Sequence, residues 1–304
     1  MRRKHKKILL WAAAAVAAAV VLEVALRLLL GLGEMPLYEP SQEWGLFHKP
    51  SQSGVRFGHH YYYNAYGMRC GEIDYSRPRL LGLGDSVLEG GIQIDQDSLA
   101  TSIFSRETGV QMLNISASGW SARCAAAFLE RHGLFDAQGA VYFATSSRAH
   151  GTRGLEESVG TPDLPDSQYP CAIAELACRY AYPRLISPVL EWIREPKPAE
   201  TEPDSQPQRL DPGFDKLKQM CDSASIPLVV YLHATRYETD RNEYYNEGKE
   251  IIAWCQKNGV PLIKSLDYGF TPGDFRDGTH MTNSGMRRTA SILAAQLPQL
   301  INSR

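Results

Sequence analysis

From Arg79 onward, short apolar runs alternate with longer amphipathic stretches, and this alternation constrains the fold more than any other feature of the chain. The runs at 79–83, 110–115, 140–144, 226–232 and 260–263 are short and mostly apolar, which suits strands buried on both faces. Helical patterns follow at 98–107, 120–133, 213–224, 241–258 and from 283 to about 300. In the last of these Met286, Leu293, Leu297 and Leu300 share one face, and Thr282 stands at the N-cap position. Strands alternating with helices predict an α/β fold with a parallel sheet covered on both sides. In such sheets sites form at the carboxyl ends of strands, where Ser86, Gly119 and Ser146–Ser147 fall.

The first run ends abruptly at Gly84-Asp85-Ser86. A serine between a buried strand and a helix points its hydroxyl out of the sheet, and the helix's first N–H groups can stabilise an oxyanion. Alone the tripeptide is a weak signal, because Gly, Asp and Ser are common turn residues. It is not a Gly-x-Ser-x-Gly elbow, since Leu88 stands where the second glycine belongs. Asp277-Gly278-Thr279-His280, just before the last helix, adds a carboxylate and an imidazole three residues apart. These residues could instead form a turn and a helix cap. With Ser86 in the same chain, catalysis is the favoured reading: Asp277 fixes the imidazole's tautomer while its other nitrogen faces the serine.

These residues resemble the SGNH (GDSL-type) hydrolases. Gly84-Asp85-Ser86 fits the first family block, Gly119 in Asn114-Ile115-Ser116-Ala117-Ser118-Gly119 the second, and Asp277 with His280 the last. The resemblance implies a flavodoxin-like three-layer α/β/α fold, Ser86 as nucleophile, His280 as base and Asp277 as its orienter. It also implies an oxyanion hole from the N–H groups of Ser86 and Gly119. The third block departs: the family's Gly-x-Asn-Asp is replaced by Ala144-Thr145-Ser146-Ser147-Arg148. Ser146 or Ser147 is expected to donate in place of the asparagine, and Asp85 and Arg148 to contact substrate. Losing one such donor costs about 2.7–4 kcal/mol of transition-state stabilisation.

Ahead of the domain, Arg2, Arg3, Lys4, Lys6 and Lys7 form a basic tip, leaving the rest of the chain with 27 basic against 34 acidic residues, a net −7. An acidic body argues against a nucleic-acid partner. An apolar stretch follows from Ile8 to Leu30, interrupted by Glu23 and Arg27, which can pair at i,i+4 and snorkel near an interface. The favoured reading is a transmembrane anchor over 8–30, with 1–7 cytoplasmic and all that follows outside. A cleaved signal peptide and a buried helix are the alternatives. Residues 31–78 read as an irregular or β-containing lead, with Asn64, Gly67 and Arg69 shaping a turn or Arg69 binding substrate. Residues 79–304 read as the catalytic domain, with an insertion at about 150–212. Within that insertion 168–193 is expected to form helices over the site and 194–204 a Pro-rich mobile loop.

The six cysteines show no CxxC spacing, and there is no HExxH, so neither a metal nor a cofactor is expected. Outside the membrane Cys171 and Cys178 are the nearest candidates for a local disulfide. His150 and His233, both near strand ends, are candidates for the site rim. Basic tip, span and first-block context are similar to the membrane-anchored bacterial branch of the family. That similarity implies an inner-membrane esterase or O-acyltransferase acting on acylated, above all acetylated, cell-surface glycan, with polysaccharide-biosynthesis partners. A non-catalytic glycan-binding or assembly component, and a lipid or thioester hydrolase with an apolar lid, are the competing readings.

Overall fold

The computed structural model describes residues 2–151, 155–186 and 209–301. It begins with a single helix, α1 (Arg2–Leu30). The helix over Arg3–Leu30 is long and apolar enough to cross a membrane, its most apolar 18-residue stretch having a mean hydropathy of 2.4. At 1.5 Å per residue α1 extends about 43 Å, more than the roughly 30 Å of a hydrocarbon core.

The lead segment consists of two antiparallel hairpins. The first pairs β1 (Tyr38–Ser41) with β2 (Gly45–His48), and the second pairs β3 (Gln52–Arg56) with β4 (His59–Tyr63). Strand periodicity explains the tyrosine run: Tyr61 and Tyr63 are buried while Tyr62, pointing the other way, is half-buried.

Five parallel strands follow: β5 (Arg79–Gly84), β6 (Gln111–Ser116), β7 (Ala140–Thr145), β8 (Leu228–His233) and β9 (Leu262–Lys264). Each lies within two residues of its predicted ends. Their order is β6-β5-β7-β8-β9. Counted within this sheet that is 2-1-3-4-5, the flavodoxin-like doubly wound order. The helices are α2 (Ser86–Glu89), α3 (Ala100–Thr108), α4 (Ala122–His132), α5 (Ala172–Glu175), α6 (Gly213–Ser223), α7 (Arg236–Arg241), α8 (Asn246–Asn258) and α9 (Asn283–Ile301). The helix expected at 241–258 begins later, as α8, and a separate short helix, α7, precedes it. Asn242 adopts φ 50° and ends α7, whose start is fixed by a Thr235/Glu238 capping box. Thr282 does cap α9, its Oγ1 accepting the Gly285 N–H at 3.4 Å.

Side-chain alternation sorts the strands onto two cores. Leu81, Leu83, Leu113, Ile115 and Tyr142 pack with Phe128, Leu217 and Trp254 of α4, α6 and α8. Leu80, Met112, Val141 and Phe143 pack with Phe104 of α3 and Leu293 of α9. The result is the three-layer α/β/α architecture, with every strand of the sheet's centre buried on both sides.

The insertion departs from expectation. Residues 187–193 and the Pro-rich 194–204 lie outside the described residues. The described part, α5 followed by a π-helical segment Leu176–Ile186, docks on the end of α1. Leu26, Leu32 and Ala172 are buried together, flanked by Ile173, Leu176 and Tyr180. Glu23 does pair with Arg27, at 2.6 Å. Its carboxylate also accepts the N–H groups of Ala172 and Ile173 at 2.9 and 3.0 Å, capping α5 from another element. Below this contact Glu175 and Arg56 form an ion pair with no exposed side-chain surface. Arg56 further donates to the Tyr180 hydroxyl and to the carbonyls of Gly31 and Glu34, and Gly33 N–H donates to Glu175 at 2.6 Å. Cys171 and Cys178 are not bonded. The Cys171 sulfur accepts the Ala174 N–H at 3.4 Å within its own helix, while Cys178 is exposed.

Candidate active site

At the carboxyl edge of the sheet, β5 ends in Gly84 and the chain turns into α2 through Asp85. Asp85 is the N-cap of α2: its Oδ1 accepts the Val87 N–H at 2.9 Å and its Oδ2 accepts from the Thr145 hydroxyl at 3.3 Å. It is buried, and burial pushes its carboxyl above the ordinary value despite the Val87 N–H and the Arg148 charge. Asp85 therefore holds the turn rather than a substrate, and Arg148, 3.9 Å away, attends Asp85. Ser86 is the first residue of α2, so no intrahelical carbonyl reaches its N–H.

Across the edge, the segment Phe275–Met281 folds into a tight loop closed by a bridge between those two residues. Asp277 organises it. One oxygen accepts the N–H groups of Thr279 and His280 at 2.8 and 2.7 Å, and the other lies 2.8 Å from His280 Nδ1. Burial raises the Asp277 carboxyl, but these N–H groups and the imidazole outweigh it and hold it below the ordinary value. The second imidazole nitrogen, His280 Nε2, lies 2.9 Å from Ser86 Oγ. Carboxylate, imidazole and hydroxyl thus form one continuous hydrogen-bonded chain from residues 194 positions apart.

Two contacts from other elements and one within the loop hold it in place. Arg236 N–H donates to the Gly278 carbonyl and Arg276 N–H to the His280 carbonyl, each at 2.9 Å. His233, fully buried at the end of β8, donates from Nε2 to the Thr279 carbonyl at 2.9 Å. Burial pushes its imidazole down to about 4, so it is neutral at pH 7. His233 is thus beneath the site, not on its rim, while His150 lies at the surface, 3.0 Å from Glu250.

Past β6, a turn closed by Trp120 N–H on the Ala117 carbonyl carries Ser118 and Gly119. Gly119 has φ +76°, and a Cβ there would come within 2.8 Å of Leu155, so only glycine fits. Past β7 the expected donors separate. Ser146 is buried and donates to Glu238 at 2.5 Å, which turns it away from Ser86. Ser147 is exposed, 3.3 Å from the Thr145 hydroxyl. The expectation for Ser146 is thereby corrected.

A cavity of about 190 Å³ opens beside Ser86 and His280. Its wall includes residues with no motif to announce them: Met35, Pro36 and Tyr38 from the lead, Arg179 from the π-helical segment, and Glu89, Ser118 and Arg276 around the nucleophile. Gly119, Ser146, Ser147, Asp85 and Arg148 do not line it. Arg69 is also absent from the wall. Fully buried, it donates to the carbonyls of Glu89, Gly91 and Ile94 and so props the loop that follows α2. Asn64 and Gly67 shape the turn before it, as expected: Asn64 Oδ1 accepts from Tyr66 and Met68, and Gly67 has φ +76°.

No family model and no curated protein matches this chain. Among solved structures it is similar to a member of the lipolytic protein G-D-S-L family from Veillonella parvula DSM 2008. That match has 12% identity, covers 73% of this chain and 99% of the other, and has a TM-score of 0.41. It is also similar to Est24, a carbohydrate acetylesterase from Sinorhizobium meliloti, at 11% identity over 74% of this chain and 100% of the other, with a TM-score of 0.41. At such distances a function has to rest on the site's own geometry.

Proposed function

We propose that this chain is a serine-dependent ester hydrolase or O-acyltransferase of the SGNH type, acting on acyl esters of a cell-surface polysaccharide. The observation that carries the reading is the 2.9 Å contact between Ser86 Oγ and His280 Nε2, with Asp277 on the opposite imidazole nitrogen. That arrangement lets His280 take the serine proton as Oγ attacks the ester carbonyl. The oxyanion of the tetrahedral intermediate would be met by the N–H of Ser86 at the start of α2, with the Gly119 N–H as the second donor that the resemblance implies. Collapse breaks the ester C–O bond, and the leaving alkoxide takes the proton from His280. Acyl-Ser86 is then attacked by water, giving hydrolysis, or by a sugar hydroxyl, giving transfer, with His280 again accepting the attacking proton.

A polar wall favours a hydroxylated substrate over a lipid chain. The described part of the insertion brings Arg179, not an apolar lid, to the cavity. We read α1 as a retained inner-membrane anchor with the domain outside. In support, Glu23 and Leu26 are built into the contact with α5, so cleavage after the apolar stretch would remove part of that contact.

The full-length protein in detergent is expected to react with a fluorophosphonate probe at one site. Labelling should disappear in Ser86→Ala and slow on the order of 10³–10⁴-fold in Asp277→Asn, where the wrong tautomer faces the serine. A wild type that labels no faster than Ser86→Ala would overturn the enzymatic reading in favour of a non-catalytic glycan-binding component.

A further inference from the structure

We propose that the cavity beside Ser86 selects an acyl ester carried on an anionic sugar, with Arg179 and Arg276 binding its oxyanion substituent, carboxylate or phosphate. This rests on the reading of that cavity as the ester site.

Three guanidiniums line the cavity, those of Arg56, Arg179 and Arg276. The charge of Arg56 is spent on Glu175, with neither side chain exposed. Arg179 is different. It donates to the Met35 sulfur at 3.6 Å, a weak acceptor, and lies 5.9 Å from the Tyr180 ring centre, and no carboxylate among the described residues pairs with it. Arg276 gives one Nη to the Gly90 carbonyl at 2.8 Å, and its Nε lies 3.8 Å from Asp277. The Asp277 carboxylate is already occupied by His280 and two backbone N–H groups. Each guanidinium offers five N–H donors, so both retain donors that the protein does not use.

Two acidic residues share this wall and offset part of the pair's charge, but neither takes its free N–H donors. Glu89 is buried and engaged by the Tyr63 hydroxyl at 3.1 Å and by His48 at 3.2 Å. Asp163 is exposed, so water screens it. Planar, forked donors match carboxylate and phosphate oxygens in a way that neutral sugar hydroxyls do not exploit.

The test uses full-length Ser86→Ala protein in detergent and three probes: acetylated methyl glucuronide, acetylated glucose 6-phosphate and acetylated methyl glucoside. Calorimetry at low salt should show at least one anionic probe binding roughly 10–100-fold more tightly than the glucoside, the worth of one charge-assisted hydrogen-bonded contact. High salt should shrink that preference without any mutation, and Arg179→Gln or Arg276→Gln on the same background should abolish most of it. Arg179→Lys should retain an intermediate preference. Preference for one anionic probe over the other tells carboxylate from phosphate.

Equal binding of all three probes, or a preference indifferent to salt, overturns the proposal. Wild-type hydrolysis of the three esters is measured alongside. Equal Ser86-dependent rates would remove the anion selectivity and leave the esterase reading intact. An anionic preference in binding with no Ser86-dependent turnover would do the reverse.

Discussion

His233 ends β8 with no exposed surface, and one tautomer satisfies its surroundings: Nε2–H donates to the Thr279 carbonyl, while Nδ1 has no hydrogen-bond partner. Protonation would add a second N–H with nowhere to donate, near His280 and only partly offset by Glu238. The folded value of about 4 lies below the unfolded 6.5, so the linked stability is fully present above pH 6.5 and is lost as pH falls towards 4. Its size is about 3 kcal/mol. His233→Gln keeps an N–H for Thr279 and cannot titrate, so its urea-unfolding free energy should fall less steeply than wild type between pH 6.5 and 4. Parallel slopes in the two proteins would rule this out. At this scale sequence spoke unevenly. Ser86, Asp277 and His280, singled out by residue type and motif, do lie together in the structure, within 2.9 Å of one another along the chain of contacts. Asp85, Ser146 and Arg148 were misplaced because adjacency to a strand end does not say which way a side chain turns, and Ser146 turns to Glu238.

Among the elements, the five strands and most helices could be read because each buries a face with its own period, and Leu80 against Leu81 already separates the two cores. The hairpins and the insertion could not. Their order comes from single contacts between distant residues: Arg56 with Glu175, 119 positions apart, and Glu23 with Ala172, 149 apart. Such pairs leave no periodic trace. The Arg56–Glu175 pair is also where one substitution should do most damage to this layer. Glu175→Ala leaves a buried guanidinium without its anion and should cost about 3–5 kcal/mol in unfolding free energy. Arg56→Met with Glu175→Leu removes both charges and should recover much of that loss. A double variant as unstable as the sum of the single ones would show that the pair acts through packing instead.

For the molecule as a whole, the apolar helix and the α/β domain are not joined by a free tether. Met35, on the cavity wall, is only five residues beyond the end of α1, within about 18 Å of it even if fully extended. The last turns of α1 meanwhile pack on the insertion that carries Arg179. A cut at the apparent domain boundary, giving a chain that begins at residue 34, would therefore discard buried Leu26 and Leu32 together with the Glu23 cap of α5. At about 1.5–3 kcal/mol for each buried leucine, the segment 172–186 should come loose while the sheet stays folded. A chain beginning at residue 21 keeps all three residues and should hold that segment. Hydrogen exchange separates the two: amides of 172–186 should exchange much faster in the shorter chain, while those of β5 and β7 exchange alike. Its kcat/KM for an acetylated sugar should drop through KM, because the Met35, Pro36 and Arg179 wall loses its support while Ser86, His280 and Asp277 do not. Equal exchange and equal KM in both chains would mean that α1 only tethers the domain and does not build its site.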